Sequence, residues 1–247
     1  MFQYQAPSDL LKDRIILVTG AGSGIGRTAA LTFARHGATV ILLGRNTEKL
    51  EAVYDEIENN QWPQPAIIPL NLETATDHDY SHLAETIENE FGKLDGLLHN
   101  AGLLGELKPV SQYQTADWER VMQVNLNAPM MMTRELLPLM RLSTRASILF
   151  TSSSVGHKGR AHWGAYSVSK FATEGLMQVM ADEEDGISHV RINTINPGAT
   201  RTSMRASAFP GEDPETLPRP EDIMSVYLYL MGDDSKDVSG QAFHAQH

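Results

Sequence analysis

The residue types best suited to chemistry in this chain are Tyr166 and Lys170, in Tyr166-Ser167-Val168-Ser169-Lys170. Four positions apart on a helix, the two side chains share a face and their polar tips reach a common ligand. A free phenol titrates near pH ~10 and exchanges protons poorly at neutrality, whereas a neighbouring ammonium stabilises the phenolate and lowers that value. Such a pair gives a proton to an oxygen or takes one. Read alone it has a plainer meaning, an exposed helix face along which long side chains lie. The elements around it must decide.

Ile15-Ile16-Leu17-Val18 is a continuous apolar run, the pattern of a strand buried on both faces of a parallel sheet. It leads into Gly20, Gly22, Ser23, Gly24, Ile25 and Gly26, and then a helical stretch from Arg27 to His36. Strand, glycine turn and helix let a pyrophosphate approach the backbone and meet the free N–H groups and dipole of the helix start. Four alternating glycines exceed what a tight turn requires. Thr39 to Leu43 reads as the second strand and ends at Gly44-Arg45-Asn46, where an adenosine ribose would lie. No carboxylate stands there for a 2′-hydroxyl, and Arg45 suits a 2′-phosphate, so NADP(H) is the preferred cofactor and NAD(H) is admissible. Arg45 pointing into solvent is the alternative.

A helix from Thr47 to Asn59 precedes a third strand, Ala66 to Leu70, which exits at Asn71-Leu72; the Asn71 amide has a donor and an acceptor for an adenine. A helix near Tyr80 to Phe91 and a fourth strand, Leu94 to Leu98, lead to His99-Asn100-Ala101-Gly102, small enough for a cofactor ring to pass. One long helical stretch, Thr115 to Arg141, carries Asn125. A fifth strand, Ser147 to Phe150, delivers three serines to the same sheet edge, and spacing alone leaves Ser152, Ser153 and Ser154 as candidates to stand beside the phenol. A sixth strand, His189 to Ile195, runs into Pro197, Gly198, Thr200 and Thr202. Residues 203–220, with four prolines, read as an irregular loop over the site, followed by a helix near Glu221 to Met231 and a short strand near Gln241 to Phe243.

This alternation over 247 residues predicts one α/β domain, residues 1–247, a Rossmann-type doubly wound parallel sheet of about seven strands between two helical layers. The net charge of −11 works against nucleic acid and anionic membrane surfaces as partners. Absence of cysteine excludes disulfides and thiolate chemistry and suits a reducing compartment, so a cytoplasmic protein is expected. With neither a basic-apolar leader nor an apolar run of about 18 residues read in it, the chain is expected to be soluble and unexported. Nine histidines fall in no ligand spacing, so no metal site is expected, and His244 with His247 is expected at a fraying tail. His157, His162 and Trp163 are candidates for a substrate mouth, with solvent-facing loop positions as the alternative; Leu103, Leu104, Met204 and Phe209 are candidates for its apolar wall.

Taken in order, these motifs resemble the short-chain dehydrogenase/reductase family over nearly the whole chain. Thr19 to Gly26 is similar to its cofactor turn, Asn100-Ala101-Gly102 to its Asn-Ala-Gly element, Asn125 to its helix asparagine, and Ser153, Tyr166 and Lys170 to its catalytic set. The resemblance implies reversible hydride transfer between NADP(H) and a small-molecule carbonyl or alcohol. Tyr166 would act as acid or base and Lys170 would bond the nicotinamide ribose. Ser153 would hydrogen-bond the reacting oxygen, Asn125 would steady Lys170 through a water, and Pro197-Gly198 and Thr202 would hold the nicotinamide side. It also implies a homodimer or homotetramer joined through the helices bearing Asn125 and Tyr166. Asn71 stands where the family commonly has Asp, His99 replaces an Asn, and the ending after Gly240-Gln241 departs from the family pattern. Leu42 to Asn46, His99 to Gly105 and Arg205 to Pro210 resemble a bacterial branch, the YciK-type oxidoreductases, which brings no substrate with it. Two rival readings keep the fold: a catalytically silent dinucleotide-binding regulatory or scaffold protein, and a sugar-nucleotide epimerase or dehydratase, whose added substrate domain 247 residues hardly accommodate.

Overall fold

The apolar runs of the sequence lie side by side. In the computed structural model, which describes residues 1–246, the strands are β1 (Ile15–Thr19), β2 (Thr39–Gly44), β3 (Ala66–Pro69), β4 (Gly96–His99), β5 (Ser147–Thr151), β6 (Arg191–Asn196) and β7 (Ala242–His244). They form one sheet of order β3-β2-β1-β4-β5-β6-β7, with every pairing parallel. Ile16 pairs with Val40 on one side and Gly96 on the other. Alternate side chains go to opposite faces. Ile16, Val18, Val40 and Leu42 enter one core with Phe33 and Met231; Leu17, Ile41, Leu43 and Ile148 enter a second with Leu136 and Met177.

Helices cover both faces, because strands buried on both sides need two apolar partners. They are α1 (Gly24–Arg35), α2 (Thr47–Asn59), α3 (Asp77–Phe91), α4 (Thr115–Met122), α5 (Ala128–Arg141), α6 (Gly164–Glu184), α7 (Ser203–Ala208) and α8 (Met224–Met231). The first core takes its helical residues from α1, α2 and α8, the second from α3, α5 and α6. From β1 the chain moves outward through β2 and β3, then returns to place β4 on the other side of β1. Crossovers diverge at that point, and a crevice opens beyond the carboxyl ends of the strands.

Local chemistry sets several boundaries differently from the apolar periodicity. α3 begins at Asp77, ahead of Tyr80, because the Asp79 carboxylate accepts the Thr76 N–H at 2.7 Å and closes the first turn. It ends at Gly92, whose φ of 72° stops the helix. The expected long helix is interrupted by a wide π turn, Gln123–Asn127, between α4 and α5. The segment 203–220 is more ordered than expected. Thr202 accepts from the Arg205 N–H at 3.2 Å to start α7, and Pro214 and Pro220 each open a 3₁₀ turn, where a missing N–H costs nothing. His244 does not fray: it lies in β7 with Nδ1 3.2 Å from Asn196 Nδ2, while His247 lies outside the described residues. Among the described residues no helix is long and apolar enough to cross a membrane.

Candidate active site

A cavity of about 580 Å³ runs along the carboxyl edge of the sheet. At one end it is made of backbone. Gly20, Gly22, Ser23, Gly24 and Ile25 line it, with φ of 68° at Gly20 and 54° at Gly24, conformations that favour glycine. The Ser23 side chain makes no capping bond, so it leaves the first N–H groups of α1 to another acceptor. Gly26 is the exception among the turn glycines, for it does not line the cavity. A Cβ there would stand 2.3 Å from the Gly20 carbonyl oxygen and 2.5 Å from Asn100 Nδ2, so its service is close packing of α1 on β1 and β4.

Arg45, Asn46, Asn71 and Leu72 line the next section. Arg45 is largely exposed and only loosely paired, 3.9 Å from Glu73, so its guanidinium is available to an anion. Asn46 spends its carbonyl on the Lys49 N–H at 2.9 Å, which caps α2, and so is partly structural. Asn71 Oδ1 accepts from Glu73 N–H at 3.2 Å; its amide N–H₂ is the half left for a ligand.

Thr19, which spacing did not single out, ties β1 to the exit of β4. Its hydroxyl oxygen accepts the N–H groups of Asn100 and Ala101, both at 3.0 Å, and so shapes the floor made by Asn100, Ala101 and Gly102. Its place between a buried strand and the glycine turn was the available signal. The opposite wall comes from Pro197, Gly198, Thr200 and Thr202. Gln246 was also missed, and no local pattern could have found it. Its amide donates to Pro197 O at 2.8 Å and Ala199 O at 3.1 Å across 49 and 47 residues of sequence, bracing that wall from the chain's atypical ending.

Ser153, Tyr166 and Lys170 line the same cavity. β5 carries the serine to the sheet edge and the first two turns of α6 carry the other two. Gly156 permits the approach, since its Cβ would already lie 3.0 Å from the Lys170 backbone. Tyr166 and Lys170 are buried. Lys170 Nζ donates to Thr151 O at 2.6 Å and sits 5.5 Å from the centre of the Tyr166 ring. Burial brings Lys170 down to about 8, partly opposed by the Glu174 carboxylate one turn on. The expected lowering of the phenol by Lys170 is not found. Burial raises Tyr166 above its ordinary value, and the Ser153 hydroxyl is the group that opposes the rise. A phenol removed from water loses the solvation that a phenolate needs. Of the three serines, Ser153 is the one whose hydroxyl opposes the rise of Tyr166; Ser152 Oγ is buried without a partner, and Ser154 starts a 3₁₀ turn.

Asn125 does not line the cavity. From the π turn its Oδ1 accepts the Leu103 N–H at 2.7 Å, and its Nδ2 donates to Leu103 O at 2.9 Å and Ser169 Oγ at 3.0 Å. It clamps the β4 exit to α6, the helix that carries Lys170. His99 turns away from the site, stacked 4.8 Å from Phe150 with Nε2 2.8 Å from Thr133 Oγ1, and burial lowers it to about 3. Trp163 lines the expected substrate mouth, as do Leu103, Leu104, Met204 and Phe209. His157 and His162 do not; His157 Nε2 lies 3.2 Å from the Glu174 carboxylate.

This arrangement fits a nicotinamide dinucleotide. Uncapped helix-start donors face one end, an unpartnered buried Ser152 hydroxyl and a buried ammonium face the other, and glycines make room between them. Comparison with known proteins agrees. Residues 14–213 match the family model for short chain dehydrogenases. The chain is 57% identical to the uncharacterized oxidoreductase YciK of Escherichia coli strain K12, over 98% of this chain and 96% of that protein. A solved short-chain dehydrogenase from Pseudomonas syringae superposes with a TM-score of 0.98 at 60% identity, covering 100% of both chains. Another, from Escherichia coli CFT073 and complexed with NADPH, gives 0.95 at 57% identity over 98% of this chain and 100% of the other. Motif order, sheet order and these matches coincide over the same residues, and the chain belongs to the short-chain dehydrogenase/reductase family of oxidoreductases.

Proposed function

We propose that this protein reduces the carbonyl group of a small molecule with NADPH, and runs the reverse alcohol oxidation with NADP⁺. The observation that carries the reading is that Ser153, Tyr166 and Lys170 line one cavity with the glycine turn. When bound, the dinucleotide supplies or accepts the hydride. Tyr166, raised above an ordinary phenol, holds its proton at neutral pH and can release it to an oxygen on which negative charge grows. Ser153 hydrogen-bonds that oxygen. Lys170, anchored to the Thr151 carbonyl, keeps N–H donors for the nicotinamide ribose and is charged at neutral pH. Asn125 acts as a positioning residue for the β4 exit and α6. Arg45 meets the 2′-phosphate, the amide of Asn71 the adenine, and Pro197, Gly198, Thr200 and Thr202 the nicotinamide side. The NADPH bound by the Escherichia coli CFT073 relative supports the cofactor choice.

The test is NADPH consumption against aldehydes, ketones, quinones and keto-acids. Tyr166→Phe should lose about 10³-fold in turnover while retaining NADPH affinity. Full activity in that variant sinks the reading, and tight NADPH binding without turnover of any compound favours the silent scaffold. Assembly is part of the proposal. Val168, Phe171 and Val179 leave an exposed apolar stripe on α6, which suits the homodimer or homotetramer of the family; a monomer by light scattering at micromolar concentration refutes it.

A further inference from the structure

The substrate end of the cavity carries a cation that the scheme above does not use. Arg160 lines the cavity, its guanidinium carbon 5.7 Å from the centre of the Trp163 ring and 5.3 Å from that of Phe209, two residues that also line it. Stacking on aromatic rings holds a guanidinium in place by its flat faces and leaves its N–H edge free to donate. The other arginine at this end is already satisfied. Arg205 gives two bonds of 2.6 Å to the Glu212 carboxylate and lies 3.7 Å over Phe209. Arg160 has no such pairing among the described residues.

Charge distribution points the same way. In a chain with a net charge of −11, the loop His157-Lys158-Gly159-Arg160-Ala161-His162 contains no acid at all. A local positive field at a cavity mouth, set in an acidic surface, draws anions to that place. Trp163 is a neighbour of both groups. Its ring centre is 5.9 Å from that of Tyr166 and 5.7 Å from the Arg160 guanidinium carbon. An anion on Arg160 and an oxygen on Tyr166 would thus occupy one cavity, which apolar Met204 and Leu104 also line.

We propose, resting on the carbonyl-reductase reading, that the substrate is a carbonyl compound that also bears a carboxylate, and that Arg160 receives it. One free planar fork matches one planar carboxylate bidentately.

The probes are 6-oxoheptanoate and its methyl ester, reduced with NADPH, and the two corresponding hydroxy compounds titrated calorimetrically into the NADP⁺-loaded protein. The acid should exceed the ester by about tenfold or more in kcat/KM and in affinity. Arg160→Ala should collapse that ratio toward one and Arg160→Lys should keep part of it, with NADPH binding measured in both variants to verify an intact fold. A ratio near one in the unmodified protein, or a ratio untouched by Arg160→Ala, overturns the assignment. Equal reduction of acid and ester leaves the reductase reading standing and removes this one. Binding of the acid that depends on Arg160, with no turnover of either probe, overturns this substrate assignment and leaves the reductase reading to the wider carbonyl panel.

Discussion

The two ends of the cavity are made of different material. Around Gly20 to Ile25 the ligand-facing surface is main chain, shaped by positive φ angles and by the absence of side chains. Around Ser153, Tyr166 and Lys170 it is functional groups, held by burial and by bonds such as Lys170 Nζ to Thr151 O. A site made of main chain is sensitive to any atom that is added. A site made of side chains is sensitive to any that is removed.

Gly26→Ala should give the largest departure among the changes that break or sharpen this contrast, although no ligand would touch it. The new Cβ, 2.3 Å from the Gly20 oxygen, forces α1 off β1 and should cost about 1–3 kcal/mol, lowering Tm by roughly 2–10 °C. NADPH affinity should fall at least about tenfold with it, measured by calorimetry. Unchanged melting and affinity would mean that the turn is not the rigid cradle described here. Arg45→Ala tests the charged side chain next to the main-chain end. NADPH affinity should drop about tenfold with little change for NADH, and equal losses would break the assignment of the 2′-phosphate.

The smallest expected effect concerns protons at the other end. Lys170 titrates at about 8 in the folded protein, below the ordinary lysine value of 10.5. Below pH 8 it is charged folded and unfolded. Between pH 8 and 10 the unfolded chain holds a proton that the folded one has released, so stability to denaturant should rise with pH across that window. Above it, Tyr80, Tyr166 and Tyr227, all raised by burial, hold protons that the unfolded chain loses, and the trend reverses. Lys170→Met should lack the rise. An identical rise in that variant would show that Lys170 is not the buried titrating group.

The main-chain end was readable from the sequence because glycine spacing after an apolar run is itself the mechanism. The doubly wound parallel sheet and the edge to which Ser153 is delivered followed from the alternation of strand and helix patterns. Contacts that close through space were less legible. Gln246 braces Pro197 from 49 residues away, and the direction of the Tyr166 shift depends on how deeply α6 seats against β5. Asn125 was singled out from its motif, yet its partners, Leu103 and Ser169, belong to other elements. Thr202 was read as a ligand group and also starts α7, because one hydroxyl oxygen can cap a helix and line a cavity.

The wide turn at Gln123–Asn127 closes with the Ala128 N–H on the Gln123 carbonyl, one residue more than an α-helical loop contains. That surplus residue puts α4 and α5 out of phase by about 100°, the angular step of one position on a helix. Deleting any single residue from the turn would make the helix continuous and swing the Met132 and Leu136 edge away from the sheet. To a reader of local pattern the stretch looks able to absorb such a deletion. In the folded chain it has to keep an odd residue in its count.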